Sequence, residues 1–317
     1  MILVISSKKV YAAKRLAEEA AAKHRELSIT DVDGLVACDF NVDITKFDVL
    51  YIRDPFFNGG AEFLPQIIAL AKKFKAAGKK VVDSSIADGK LGMGKWADYQ
   101  QLQKSGLPIP TTRLLSDCPL PTIHYPLILK WTYGFKAKDV FLIKNEERLK
   151  NILPLHHKKE WLIQEFIQAD YEYKIITVGY KALPVILRFG TKGGGFRVDF
   201  KKAAVMRSLP PLMRGGSGRG CNKSGMTATS LSSKAFNNRI ALGDISPQEE
   251  RACNPAIISL AESASLLLGR ELAKVDILES AGKFYILEVN RFPGLKSFEE
   301  ITGYNVFKDF LGYLILK

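Results

Sequence analysis

An α/β fold that turns α+β in its C-terminal part is the class this sequence predicts, on three observations. Roughly the first 90 residues alternate short apolar runs with amphipathic stretches of helical period, the pattern of strands separated by helices. From Leu127 onward apolar runs follow one another with few helical stretches between them. Leu107-Pro108-Ile109-Pro110 separates the two regimes, because paired prolines break regular structure.

The elements follow in order. Ile2 to Ile5 reads as the first strand, then a helix from about Tyr11 to His24, a strand at Val49 to Ile52, a helix from Phe63 to Ala77 and a strand at Lys80 to Val82. A helix from Lys95 to Ser105 ends at Gly106. Strands are expected at Leu127 to Lys130, Val140 to Ile143, Trp161 to Phe166, Tyr173 to Val178 and Ala182 to Phe189, with a helix near Glu146 to Leu153. Ser246-Pro247-Gln248-Glu249 combines a Ser cap, Pro at the first helical position and Glu three residues after the cap, so a helix starts there. Pro255 falls inside it after Asn254, which either kinks the helix or restarts it with Asn254 as a second cap. Two further strands around Asp276 and Glu288 form a hairpin centred on Gly282, and a helix from Phe307 closes the chain.

Apolar residues make up 47% of 317, enough for a large core, and the length points to about two domains. No apolar run approaches the roughly 18 residues that span a bilayer, and Met1 to Ile5 is too short for a signal peptide. No membrane partner is expected, and the expected location is cytoplasmic. Cys38, Cys118, Cys221 and Cys253 are far apart and read as reduced structural thiols. Net charge is +13, of which the stretch from Arg197 to Arg239 supplies +8, with nine Lys/Arg against the single acid Asp199. Residues 197–242 are also rich in Gly and Ser, and read either as a solvated basic loop or as a clamp for phosphates, an acidic carrier protein or nucleic acid.

The strongest chemical signal lies in the hairpin. Its register sets Asp276 opposite Glu288, and strand alternation puts Asn290 on the same face. Two carboxylates and an amide are hard oxygen donors that suit Mg²⁺ held against substrate phosphates, which makes a nucleotide the expected partner. Phe284 and Ile286 are expected on the carboxylate face, with Tyr285, Leu287 and Val289 on the other.

With Pro293-Gly294-Leu295 and Ile301-Thr302-Gly303 following Val275-Asp276-Ile277-Leu278 and Leu287-Glu288-Val289-Asn290 in fixed order, the chain resembles the ATP-grasp enzymes, in the branch of RimK-like glutamate ligases and glutathione synthetases. The resemblance implies a pre-ATP-grasp α/β domain over residues 1–93 and an ATP-grasp domain of two α+β halves over 94–317. Within the latter, 127–167 would approximate the small lobe that covers ATP, and 197–242 would be an insertion. It gives Asp276, Glu288 and Asn290 to Mg²⁺, with Mn²⁺ as a substitute, and Lys95, Lys130 and Lys174 to the ATP phosphates. Gln164, Glu165, Phe166 and Ile167 resemble the hinge that holds adenine, and Glu172 the acid on the ribose hydroxyls. Arg188 and Arg197 stand where the family places cations beside the reacting carboxylate and phosphoryl group.

The sequence departs from the family at three places. Trp131 to Asp139 keeps only Gly134 of a glycine-rich phosphate loop, with Lys136 and Lys138 as candidate replacements. Asp199 stands at the nucleotide site where the family has Asn, and an acid there needs metal beside it. Residues from Arg207 to Leu242 have no counterpart in close relatives. The implied reaction joins a carboxylate to an amine through an acyl phosphate. An amino acid, or an acidic peptide or carrier protein, is the implied substrate, and a homo-oligomer is open. Two alternatives remain: an ATP-grasp kinase of a polyphosphorylated small molecule, and a nucleotide-fold protein that binds nucleic acid or the ribosome without catalysis.

Overall fold

Wholly buried apolar runs with no polar alternation belong in sheets covered on both faces, and the first sheet is built of them. In the computed structural model, which describes residues 1–53, 61–118, 123–134, 139–153, 159–191, 203–207 and 253–316, β1 (Ile2–Ile5) and β3 (Val49–Ile52) are buried along their full lengths. They pair in parallel with each other, with β2 (Leu27–Thr30) outside β1 and β4 (Lys80–Val82) outside β3, giving the order β2-β1-β3-β4. Helices α1 (Tyr11–Ala22), α2 (Val32–Ala37) and α3 (Leu64–Ala76) connect them, and α4 (Ser84–Ala87) follows β4. β2 and α2 are absent from the expected elements. Leu27-Ser28-Ile29-Thr30 is a half-buried edge strand whose two apolar residues carry too little pattern to stand out.

α5 (Lys95–Lys104) leads into a second, antiparallel sheet of order β5-β8-β6-β7, made of β5 (Thr112–Leu114), β6 (Leu127–Trp131), β7 (Val140–Ile143) and β8 (Trp161–Glu165). α6 (Glu146–Ile152), capped by the Asn145 side chain, buries Leu149 and Ile152 against Leu127, Leu129 and Trp161.

The third sheet is antiparallel throughout, β11-β10-β9-β12-β13, from β9 (Tyr171–Val178), β10 (Lys181–Gly190), β11 (Ala204–Arg207), β12 (Leu272–Ser280) and β13 (Lys283–Asn290). β11 pairs with β10, so part of the stretch expected as a basic loop is an edge strand. α7 (Pro255–Leu267) covers one face with Ile257, Ala261 and Ala264. Asn254 Oδ1 accepts from Ala256 N–H at 2.9 Å, so α7 begins afresh at Pro255. The expected helix start at Ser246 lies outside the described residues. α8 (Lys296–Thr302) and α9 (Val306–Ile315) finish the chain. α9 buries Phe307, Phe310, Leu311 and Leu314 in a core shared by β1 and β3 of the first sheet and Leu187 and Phe189 of the third.

Candidate active site

The Ala281–Gly282 turn joins β12 to β13 with both residues at positive φ, 49° and 74°, the two-residue turn whose twist matches that of its strands. Asp276 pairs with Glu288 and Lys274 with Asn290, which sets all four on one face. Next to this pair the register slips. Ile277 pairs with Ile286, so Leu287 is the extra residue of a β-bulge. Phe284 and Ile286 therefore turn away from the carboxylates and pack with Val289 toward α7, while Tyr285 moves to the carboxylate side. This corrects the face assignment expected from simple alternation. The Tyr99 hydroxyl, from α5, donates to the Leu287 carbonyl at 2.7 Å and holds the bulge.

Asp276 is buried between lysines. Its Oδ2 accepts from Asn290 Nδ2 at 3.3 Å and lies 3.5 Å from Lys274 Nζ, while Oδ1 lies 3.5 Å from Lys174 Nζ with no hydrogen-bond partner among the described residues. Lys174, from the adjacent β9, also holds Glu172 Oε1 at 2.5 Å. Burial disfavours the Lys174 ammonium, but Asp276 and Glu172 raise its pKa above the ordinary value. Burial raises the Glu172 carboxyl against the pull of Lys174.

Lys95, the first residue of α5, donates to Glu288 Oε1. Desolvation would raise the Glu288 carboxyl; Lys95, helped by Lys130 and Lys274, holds it down at about 2. The close approach depends on Gly94. A Cβ there would sit 2.3 Å from Thr132 Cγ2, and the bare backbone lets Lys95 N–H reach the Thr132 carbonyl at 2.9 Å. Helix start and strand end thus lock together with Lys95 and Lys130 near each other. Lys130 is buried and donates to the Tyr99 hydroxyl at 2.8 Å. Burial lowers its ammonium to about 8.

Gln164 donates to Thr112 Oγ1 at 2.8 Å while its buried Oε1 has no hydrogen-bond partner among the described residues, and exposed Glu165 accepts from Thr111 N–H at 3.2 Å. Phe166 and Ile167, half-buried, begin the strand-free connection between the second and third sheets. Arg188 is not brought to the carboxylates. It pairs with Tyr173 on the α7 side of the sheet, and its guanidinium lies 4.7 Å from the centre of the Tyr171 ring. Arg197, Asp199, Lys136 and Lys138 lie outside the described residues. Sequence reasoning passed over Lys274 and Tyr99. Each carried a signal: Lys274 is two residues before Asp276 on a strand, and Tyr99 is four after Lys95 on a helix.

Residues 93–210 match the RimK-like ATP-grasp domain. Nearly the whole chain superposes on the ATP-grasp ligase PsnB bound to its minimal precursor, with a TM-score of 0.66 at 15% identity, covering 99% of this chain and 97% of that one. The fold is the ATP-grasp fold. The ATP-grasp architecture here also matches the RimK domain protein of Sphaerobacter thermophilus, at a TM-score of 0.60 and 16% identity over 99% of both chains. Among curated relatives, a probable alpha-L-glutamate ligase of Haemophilus influenzae is 22% identical, over 99% of this chain and 96% of its own length. One from Legionella pneumophila is 24% identical over 96% and 91%.

PsnB has been crystallised with Mg and ADP. The cluster described above fits such an ion: Asp276 Oδ1 is a buried oxygen without a hydrogen bond among the described residues, and Asp276, Glu288 and Asn290 share one face. All three offer the hard oxygens that magnesium takes.

Proposed function

We propose that this protein is an ATP- and Mg²⁺-dependent carboxylate–amine ligase that forms an amide bond through an acyl phosphate, with an amino acid as one substrate and a peptide or protein as the other. The observation that carries the reading is the opposed pair Asp276 and Glu288, with Asn290 beside them and Lys95, Lys130 and Lys174 around them, on an ATP-grasp fold. The relatives named as glutamate ligases support it.

In this reading Asp276, Glu288 and Asn290 hold Mg²⁺, and Mn²⁺ can substitute. Magnesium bound there supplies positive charge to the triphosphate oxygens. The three lysines neutralise phosphate charge, and Lys130, already aimed by its bond to Tyr99, keeps a fixed position from β6. A substrate carboxylate oxygen attacks the γ-phosphorus, and the bond to the bridging oxygen breaks to release ADP. The amine nitrogen then attacks the acyl carbon, loses its proton and expels inorganic phosphate. Residues 164–167 flank the adenine. Glu172 meets the ribose only by loosening its bond to Lys174, and Arg197 and Asp199 retain their assignments at the transferred phosphoryl group and the nucleotide. Arg188, on the far face, has no part in it.

The test is Mg²⁺-dependent ADP formation across amino acids paired with acidic peptides, with mass detection of products. The expected product equals the two substrates less water, formed one for one with ADP. A product heavier by one phosphoryl group, formed without any amine, would replace the ligase reading by a kinase.

A further inference from the structure

The first sheet carries a polar cluster that the nucleotide chemistry leaves unused. In the order β2-β1-β3-β4 the winding of the chain reverses between β1 and β3, and open parallel sheets bind ligands beyond the carboxyl ends of their strands at that point. Those ends are Ser6–Ser7 and Arg53, adjacent because Ile5 pairs with Ile52, and all three residues are buried. Arg53 is 5% exposed. Its Nη2 donates to the Pro293 carbonyl at 2.7 Å, and its guanidinium lies 5.6 Å from the centre of the Phe292 ring. Nε and Nη1 are buried and have no hydrogen-bond partner among the described residues. The turn after Ser7 leads into α1, whose N-cap Val10 provides no side-chain cap for the first-turn amides.

A buried guanidinium with N–H groups left over is costly, and an anion brought by a ligand offsets that cost. The cluster also adjoins the metal hairpin, because Pro293 follows Asn290 by three residues. Resting on the ligase reading for the identity of the ligand, we infer that Arg53, with the Ser6–Ser7 turn and the uncapped start of α1, forms a subsite for a carboxylate of the amino-acid substrate.

The test is calorimetric titration of the full-length protein, with ADP and Mg²⁺ present, by L-glutamate, by its α-amide and by L-glutamine. Amidating the carboxylate seated on Arg53 weakens binding by about 10- to 100-fold, and which amide shows the loss tells whether it is the α- or the side-chain carboxylate. Arg53→Met binds glutamate weaker by the same factor and no longer distinguishes acid from amide, while ADP affinity stays the same. Arg53→Lys recovers part of the preference. The subsite is overturned if wild type shows no preference for acid over amide, or if Arg53→Met keeps one. A parallel loss of ADP affinity also overturns it, since Arg53 would then only prop residues 291–293. Absence of ATP turnover with the acid preference intact removes the ligase reading and leaves the subsite standing.

Discussion

Glu288 is held ionised by Lys95 although desolvation opposes its charge, so its carboxylate is ready to meet a cation at any pH above about 2. Glu288→Gln keeps the shape and removes the charge. Amino-acid-dependent ADP formation should fall by about 10³-fold, several kcal/mol of barrier. Full activity in that variant would remove Glu288 from the chemistry. Lys130 has the opposite character, a buried ammonium lowered to about 8. It carries its charge below that value and loses it above, so ADP affinity should hold steady up to about pH 8 and decline beyond. Lys130→Met should bind ADP more weakly and show no such decline. A fluorescent-nucleotide titration across pH reads both. At this scale the pairing of Asp276 with Glu288, and the place of Asn290 on their face, were legible from the hairpin centre and strand alternation, whereas Lys95 and Lys130 were named only through the family resemblance. The place of Arg188 was not legible. A register shift on β10 between Ala182 and Ile186, and the pairing of Arg188 with Tyr173, decide its face, and neither is written in local pattern.

Elements meet at the site through a few close approaches. Gly94 is the closest: a methyl group there collides with Thr132 Cγ2 and lies 3.2 Å from the Thr132 carbonyl, separating α5 from the end of β6. Gly94→Ala should cost about 1–3 kcal/mol of stability and weaken ADP binding about tenfold, since Lys95 and Lys130 move apart. Thermal melting and nucleotide titration together check it; unchanged values in both would show that the helix has room to shift. The bulge at Leu287 marks what a hairpin sequence hides. Gly282 located the turn and the Asp276–Glu288 pair correctly, but an extra residue in one strand depends on its neighbours, here the hydroxyl of Tyr99 on a distant helix. β11 was hidden for a different reason. Four residues on a sheet edge are stabilised by pairing with β10, and Ala204-Val205-Met206 is too short an apolar run to stand out within the basic stretch around it.

Across the whole molecule, buried ion pairs tie the hairpin to the parts that precede it in sequence. Arg270, just before β12, bonds Asp98 of α5 at 2.6 Å, and Arg291, just after β13, bonds Asp83 at 2.9 Å and Ser85 Oγ at 2.8 Å beside the first sheet. Removing one partner leaves a buried charge alone, so Asp83→Ala should lose about 3–5 kcal/mol in urea unfolding. A loss under about 1 kcal/mol would mean that water reaches Arg291. Together with the core that α9 shares between the first and third sheets, these pairs hold the donor face in place. The order of the longer strands and helices was readable from period and turn chemistry, while short elements such as β2, α2, β5, β11 and α8 were missed; the joining of sheets by α9 and by Arg270 and Arg291 was not readable, because contacts between distant segments leave no periodic trace. Among the described residues, no helix is long and apolar enough to cross a membrane.

The most direct test of the central claim, that oxygens from both strands of the hairpin hold one divalent cation against the nucleotide, is a crystal structure of the protein with Mg²⁺ and ADP. The expected result is an ion about 2.1 Å from oxygens of Asp276, Glu288 and Asn290 and bound to the diphosphate. An ion bound by the diphosphate and water alone, with Asp276 and Glu288 still engaged to their lysines and Asn290 to Asp276, would contradict it.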